Sequence, residues 1–247
     1  MSFHILFSPT KNLRTDFAKR FPVESTPAFI EEASILHDTL MKMRPKAVQA
    51  MMKISDKIAS EVSDRLAEWK DAEPTPAIFT YDGEAFRGLS PETLDAKALQ
   101  LAQERLVILS GLYGMLKPLD GIKPYRLEMQ TKMKVGKQVN LYHFWNHKMA
   151  KALEPKSEFL LNLASEEYSK VILPFWDRKK VVSPVFMEWN DGNPKTVMMY
   201  AKHARGKMLH YILKENLKEL EPLKAYTLDG YVYTPSLSDE QRWVFTR

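Results

Sequence analysis

Four short stretches of this chain hold side chains suited to gripping an anion. "SPTK" places Ser8 and Lys11 just beyond an apolar run, Phe3 to Phe7, that reads as a β-strand. Loops leaving a strand in this way are where α/β sheets present ligands. "MKISDKIA" reads as helix, tight turn and helix, with Ser55 as N-cap of the second helix and Lys53 and Lys57 flanking the turn. That is the outline of a helix-hairpin-helix, in which N–H groups at the second helix's start bind a phosphate of the DNA backbone. The usual hairpin has glycines and this one has none, so an ordinary helical corner fits the same residues.

The third stretch is "LVILSGLYGMLKPLDGIKPYRLEMQTKMK". A buried strand ends at Ser110, and Ser110, Gly111, Tyr113 and Gly114 form a sharp turn expected to expose its N–H groups. Pro118, four residues beyond Gly114, interrupts any following helix and argues against a second helical hairpin. Lys117, Lys123 and Arg126 then stand around the turn as anion donors, and Arg126 and Glu128 alternate along an expected strand, sharing a face on which they can pair. In the fourth stretch, "YAKHARGKM", Lys202 and Arg205 lie three apart at the expected start of a long helix. Cations there oppose the helix dipole, which a bound anion relieves.

Two chemistries fit these residues. One is DNA binding, with Lys11, Lys53, Ser55, Lys57, Lys117, Arg126, Lys202 and Arg205 on backbone phosphates in a basic cleft, favouring structure over sequence. The other is an enzyme acting on a small anionic, nucleotide-like substrate. Its pocket would hold Ser8, Ser110, Gly111, Tyr113, Gly114 and Glu128, with Tyr113 or Glu128 as general acid or base. Dinucleotide, P-loop and nucleophile-elbow motifs are absent. His143 and His147 have the i,i+4 spacing of a metal pair, but the glutamate of HExxH is missing and a core-and-surface role outweighs a metal site. No metal and no cofactor is expected.

The apolar spacing defines the elements that must position these side chains. Helices are expected over Pro27 to Met43, over "KAVQAMMKI", over "SDKIASEVSDRLAEW", and over "SPETLDAKALQLAQERL" with Ser90 as N-cap and Pro91 first. "LYHFWNHKMAKAL" and "KHARGKMLHYILKENLKEL" also read as helices. Strands are expected at "AIFTY", "LVILS" and "FLLNLAS", with a hairpin around "NDGN" and short strands in the tail beside Gly230. The strands and helices mix without a regular βαβ beat, and no internal linker or repeat appears. The fold expected is therefore mixed α/β (α+β), one domain over residues 1–247, with a mixed central sheet surrounded by helices.

The chain has 247 residues, enough to bury a core without disulfides or metal, and it has no cysteine. That excludes a disulfide framework, a thiol nucleophile and iron–sulfur ligation. The net charge of +5 is regional: Arg105 to Lys137 and Lys195 to Lys218 each carry +5, so the remainder carries −5. A basic face of this kind suits a polyanion, and a solvated surface with no partner suits it equally. The first apolar run is too short for a signal peptide, and no run nears the roughly 20 residues of a membrane span. A cytoplasmic monomer with no membrane partner is expected.

Taken in order, "SPTK", "ISDKIA", "LSGLYGMLKPLDGIKPYRLEM", "NLASEEY", "PVF" and "YAKHARG" make the chain resemble, over nearly its whole length, the YaaA family of bacterial peroxide-stress proteins. The family pattern falls on Ser8, Lys11, Ser55, Asp56, Lys57, Ser110, Gly111, Tyr113, Gly114, Arg126, Glu128, Lys202 and Arg205. The resemblance implies a cytosolic protein that helps bacteria survive hydrogen peroxide by limiting free iron. It also implies a single-domain fold with a deep basic cleft, and DNA binding through a helix-hairpin-helix.

Overall fold

The computed structural model describes residues 3–247. Its centre is a mixed sheet built from β1 (Phe3–Phe7), β2 (Leu106–Ser110), β3 (Gly114–Leu116), β4 (Phe159–Asn162), β5 (Val181–Asn190), β6 (Asn193–Lys195), β7 (Val232–Tyr233) and β8 (Arg242–Thr246). The spatial order is β7-β8-β5-β4-β1-β2-β3, with β6 pairing β5. Helices surround this sheet, as the sequence pattern implies.

The five inner strands are all parallel: β8 on β5, β5 on β4, β4 on β1 and β1 on β2. Antiparallel pairing is confined to the outer β2–β3 and β7–β8 pairs and to the β5–β6 hairpin. The chain thus has a βαβ rhythm that its irregular spacing conceals. Parallel strands buried on both faces read as continuous apolar runs. Ile5, Leu6 and Phe7, Ile108 and Leu109, and Leu160 and Leu161 are all fully buried. Each such side chain contributes about 1.5–3 kcal/mol by leaving water.

Several local expectations change. Ala77–Thr80 is a buried helical turn rather than a strand, locked by the Thr80 hydroxyl donating to Pro76 O at 2.7 Å. Ser90, at φ 45°, precedes only a 3-10 turn over Pro91–Thr93 and makes no side-chain cap; the helix Ala96–Arg105 starts later and is capped by Asp95, which accepts the Ala98 N–H at 2.8 Å. The helix expected over residues 141–153 breaks at Asn146, φ 42°, into Leu141–Trp145 and Lys148–Leu153. At "NDGN", Asp191 and Gly192 both take positive φ, the turn geometry that matches strand twist in a two-residue hairpin. The long helix, Met198–Lys214, starts four residues before Lys202. Lys202 and Arg205 therefore lie beyond the first turn, where the dipole has faded. No described helix is long and apolar enough to cross a membrane.

Candidate functional site

β1 lies between β2 and β4, so the chain leaves β1 toward one side and leaves β4, for β5, toward the other. Because crossovers are right-handed, such connections cover opposite faces and open a crevice beyond the carboxyl ends of the two strands. A cleft of about 330 Å³ lies there. Ser8 to Asn12 line it from β1, while Leu163, Ser165, Glu167 and Tyr168 line it from β4. The two loops are stapled together: the Ser165 N–H donates to the Ser8 hydroxyl at 2.8 Å, and that hydroxyl donates to Ser165 Oγ at 3.2 Å.

Two glycines bring the remaining walls into place. Any Cβ on Gly206 would stand 1.9 Å from Ala85 O, and the reciprocal Cβ on Gly88 would stand 2.2 Å from His203 O. Helix Glu84–Leu89 and the long helix therefore meet backbone to backbone, which carries Lys202 and Arg205 to the rim formed by Asp82, Glu84 and Ala85. A Cβ on Gly111 would stand 2.3 Å from Leu127 O. The segment carrying Arg126 and Glu128 thus lies directly on the Ser110–Gly114 turn. That segment is not a strand, yet Arg126 and Glu128 do pair, at 3.5 Å.

The turn itself is scaffold. Ser110, Leu112 and Tyr113 are buried, and Ser110 Oγ accepts the N–H groups of Leu112 and Tyr113 at 3.2 and 2.9 Å. The N–H groups expected to be exposed are already bonded inside the protein. Tyr113 cannot serve as the cleft's acid or base: its hydroxyl accepts the Lys123 N–H at 2.9 Å, and burial pushes its phenol well up. Gly114, at φ 70°, fits the turn with no room for a Cβ beside Trp145.

Five of the sequence-proposed residues meet in the cleft: Ser8, Lys11, Glu128, Lys202 and Arg205. Three more carboxylates join them, Asp82, Glu84 and Glu167, so the lining is of mixed charge rather than simply basic. Most of those charges are matched. Glu128 is held by Lys11 at 3.0 Å as well as by Arg126, and Arg87 binds Asp82 at 3.4 Å and Glu84 at 2.7 Å. Among the described residues Lys202, Arg205 and Glu167 make no ion pair. Arg205 is partly buried, its Nε has no hydrogen-bond partner, and burial alone lowers its pKa. Glu167 accepts the Gln130 N–H at 3.2 Å, and burial, with Glu128 nearby, pushes its carboxyl above the usual range.

The other proposed contacts lie elsewhere. Lys117 lines a separate hollow of about 240 Å³ with His4, Asp120 and Lys156. Lys53, Ser55 and Lys57 are exposed at the corner between helices Pro45–Met52 and Asp56–Glu68. Ser55 does cap, accepting the Ile58 N–H at 3.4 Å, and Lys53 takes the left-handed conformation, φ 53°, that glycine usually supplies. Among the described residues no group of three or more His, Asp or Glu side chains is placed to hold a metal ion. Asp82, Glu84, Ser165 and Glu167 were missed as site residues. The available signal was position, since "DGE" follows a short extended stretch and "SEE" follows β4.

Known proteins resemble the chain over nearly its whole length. The family model described as peroxide stress protein YaaA matches residues 3–237. A UPF0246 protein of Ralstonia nicotianae is 39% identical, covering 98% of each chain. One from Ralstonia pickettii is 40% identical with the same coverage, and one from Flavobacterium johnsoniae is 38% identical over 98% of this chain and 99% of its own. The chain belongs to the peroxide stress protein YaaA family.

Proposed function

We propose that this protein serves the peroxide-stress response by binding a small, doubly charged anion, of the size and kind of a nucleoside monophosphate, in the cleft between β1 and β4. The observation carrying this reading is Arg205, a half-buried guanidinium with no carboxylate partner at the cleft wall. An uncompensated cation so placed is costly, and an anionic ligand supplies the missing partner. Lys202, exposed at the rim of the same cleft, adds positive charge there without being a requirement of the kind Arg205 is. A volume of about 330 Å³ matches the lower end of small-molecule sites, roughly 300–1,000 Å³. Calorimetric titration with AMP tests the reading. Binding that is lost in Arg205→Met supports it, and equal binding by both proteins contradicts it.

A second reading, DNA binding, is favoured by the exposed Lys53, Ser55 and Lys57 at the helical corner. Backbone phosphate would meet the start of the helix Asp56–Glu68, and protection of DNA from iron-driven damage would follow. Its signature is a duplex affinity that falls steeply with salt, by about 0.9 log units per log unit for each phosphate neutralised. A flat salt response contradicts it.

A further inference from the structure

Once the internal ion pairs of the cleft are set aside, three charged groups are left over: Lys202, Arg205 and Glu167. Two are cations that suit a dianion. The third is a carboxyl group, which as a carboxylate would repel one. We propose that Glu167 is the proton-transfer residue of this cleft, a general acid toward the ligand that Lys202 and Arg205 anchor. The proposal rests on the small-anion reading above and adds a chemical step to it.

The geometry separates the roles of two neighbouring carboxyl groups. Glu128 is paired with two cations, Lys11 at 3.0 Å and Arg126 at 3.5 Å. Among the described residues Glu167 makes no ion pair, and its Oε1 accepts the Gln130 backbone N–H at 3.2 Å. Every other influence on it can be named. Glu128 and burial favour the protonated form, while Lys11 and the Gln130 and Met129 N–H groups favour the ionised one. Glu166 points its charge to Lys170 at 2.7 Å, and the Tyr142 hydroxyl donates to Glu167 O rather than to its carboxyl. The adjacent Tyr168 phenol is pushed well up by burial, so it neither takes nor gives a proton near neutrality. Neighbouring carboxyl groups in unlike surroundings, one ion-paired and one not, are the arrangement by which one site separates acid and base roles.

The step is a simple one. The Glu167 O–H bond breaks as a heteroatom of the ligand, adjacent to its anchored anionic group, takes the proton. The carboxylate left behind stands beside Glu128, and this like-charge repulsion draws a proton back from water. A dianion arriving at Lys202 and Arg205 strengthens the same preference, so binding should be accompanied by proton uptake at Glu167.

The test uses the full-length protein with AMP and, separately, inorganic phosphate. Titrations are repeated in buffers of different ionisation enthalpy at pH 6 and pH 7.5, and the Glu167 side-chain carbon is followed by NMR from pH 3 to 8. The wild type should take up a measurable fraction of a proton per AMP bound. Glu167→Gln should bind AMP at least as tightly with no uptake. The NMR titration should lie above the ordinary carboxylate range and move back toward it in Glu128→Gln. Proton uptake that survives Glu167→Gln, or an ordinary Glu167 titration, overturns the proposal. Absence of AMP and phosphate binding with a raised titration overturns the small-anion reading, and the ligand-facing acid falls with it. Retained binding with an ordinary titration overturns the acid alone.

Discussion

The cleft and the helical corner both carry basic side chains, yet they differ in what surrounds the charge. At the corner Lys53 and Lys57 stand in water, which satisfies them fully. In the cleft Arg205 is withdrawn from water, lacks a carboxylate and has an Nε without an acceptor. An exposed lysine needs no partner, so its presence says little about function. A half-buried guanidinium without one states a requirement, because desolvated charge is expensive until it is paired. Burial, rather than the count of basic residues, makes a cation informative.

The strongest way to break this contrast is to move the wall that carries Arg205. Gly206→Ala adds a Cβ 1.9 Å from Ala85 O. Alanine favours a helix over glycine by about 1 kcal/mol, but the backbone clash outweighs that and should cost about 3 kcal/mol. The denaturant midpoint should fall and AMP binding should be lost with it. Arg205→Met comes next. It removes the ligand's partner while keeping much of the aliphatic stem, so affinity for AMP should drop about 10–100-fold, the equivalent of one charged hydrogen bond at about 1.5–3 kcal/mol. Stability should hold or rise, because no carboxylate is orphaned; a large fall in the midpoint would make Arg205 structural.

Smaller effects sharpen the comparison. The folded-state pKa of Glu167 is raised, so the native protein holds its proton more tightly than the unfolded chain does. Stability should therefore fall as pH rises from the ordinary carboxylate range through the raised value, and stay level above it. Glu167→Gln should flatten that slope and leave the protein more stable at neutral pH, read from midpoints at pH 4 to 8. At the corner, Ser55→Ala removes a long cap hydrogen bond of 3.4 Å and should cost only about 0.5 kcal/mol. Lys53→Ala with Lys57→Ala should change stability by less than about 0.5 kcal/mol. On the DNA reading, the same pair should lower the salt slope for duplex binding by up to about two units.

The parts legible in the sequence are those decided by nearby residues. Phe3–Phe7 and Leu106–Ser110 read as strands because continuous apolar runs suit a doubly covered sheet, and "NDGN" read as a hairpin because Asp191 and Gly192 tolerate positive φ. "AIFTY" misled because β-branched and aromatic residues favour strands, while Pro76 and the Thr80 hydroxyl close a helical turn there. The Ser110–Gly114 turn was legible as a turn but not as a scaffold, since its inward packing depends on Leu127 and Trp145. The mixed charge of the cleft was hidden for a similar reason. Asp82 and Glu167 lie 85 positions apart, and their loops meet only through two long-range pairings, Asn12 with Asp82 and β1 with β4. Arg205's isolation could not be read at all, because the absence of a partner is a property of the folded chain.

The most direct test of the central claim is a side-by-side titration of AMP into the wild type, Arg205→Met and the Lys53→Ala, Lys57→Ala pair, all at one moderate salt concentration. Binding in the wild type and the lysine pair, with at least a tenfold loss in Arg205→Met, is the predicted result. Equal affinity in Arg205→Met, or a loss confined to the lysine pair, would contradict the account.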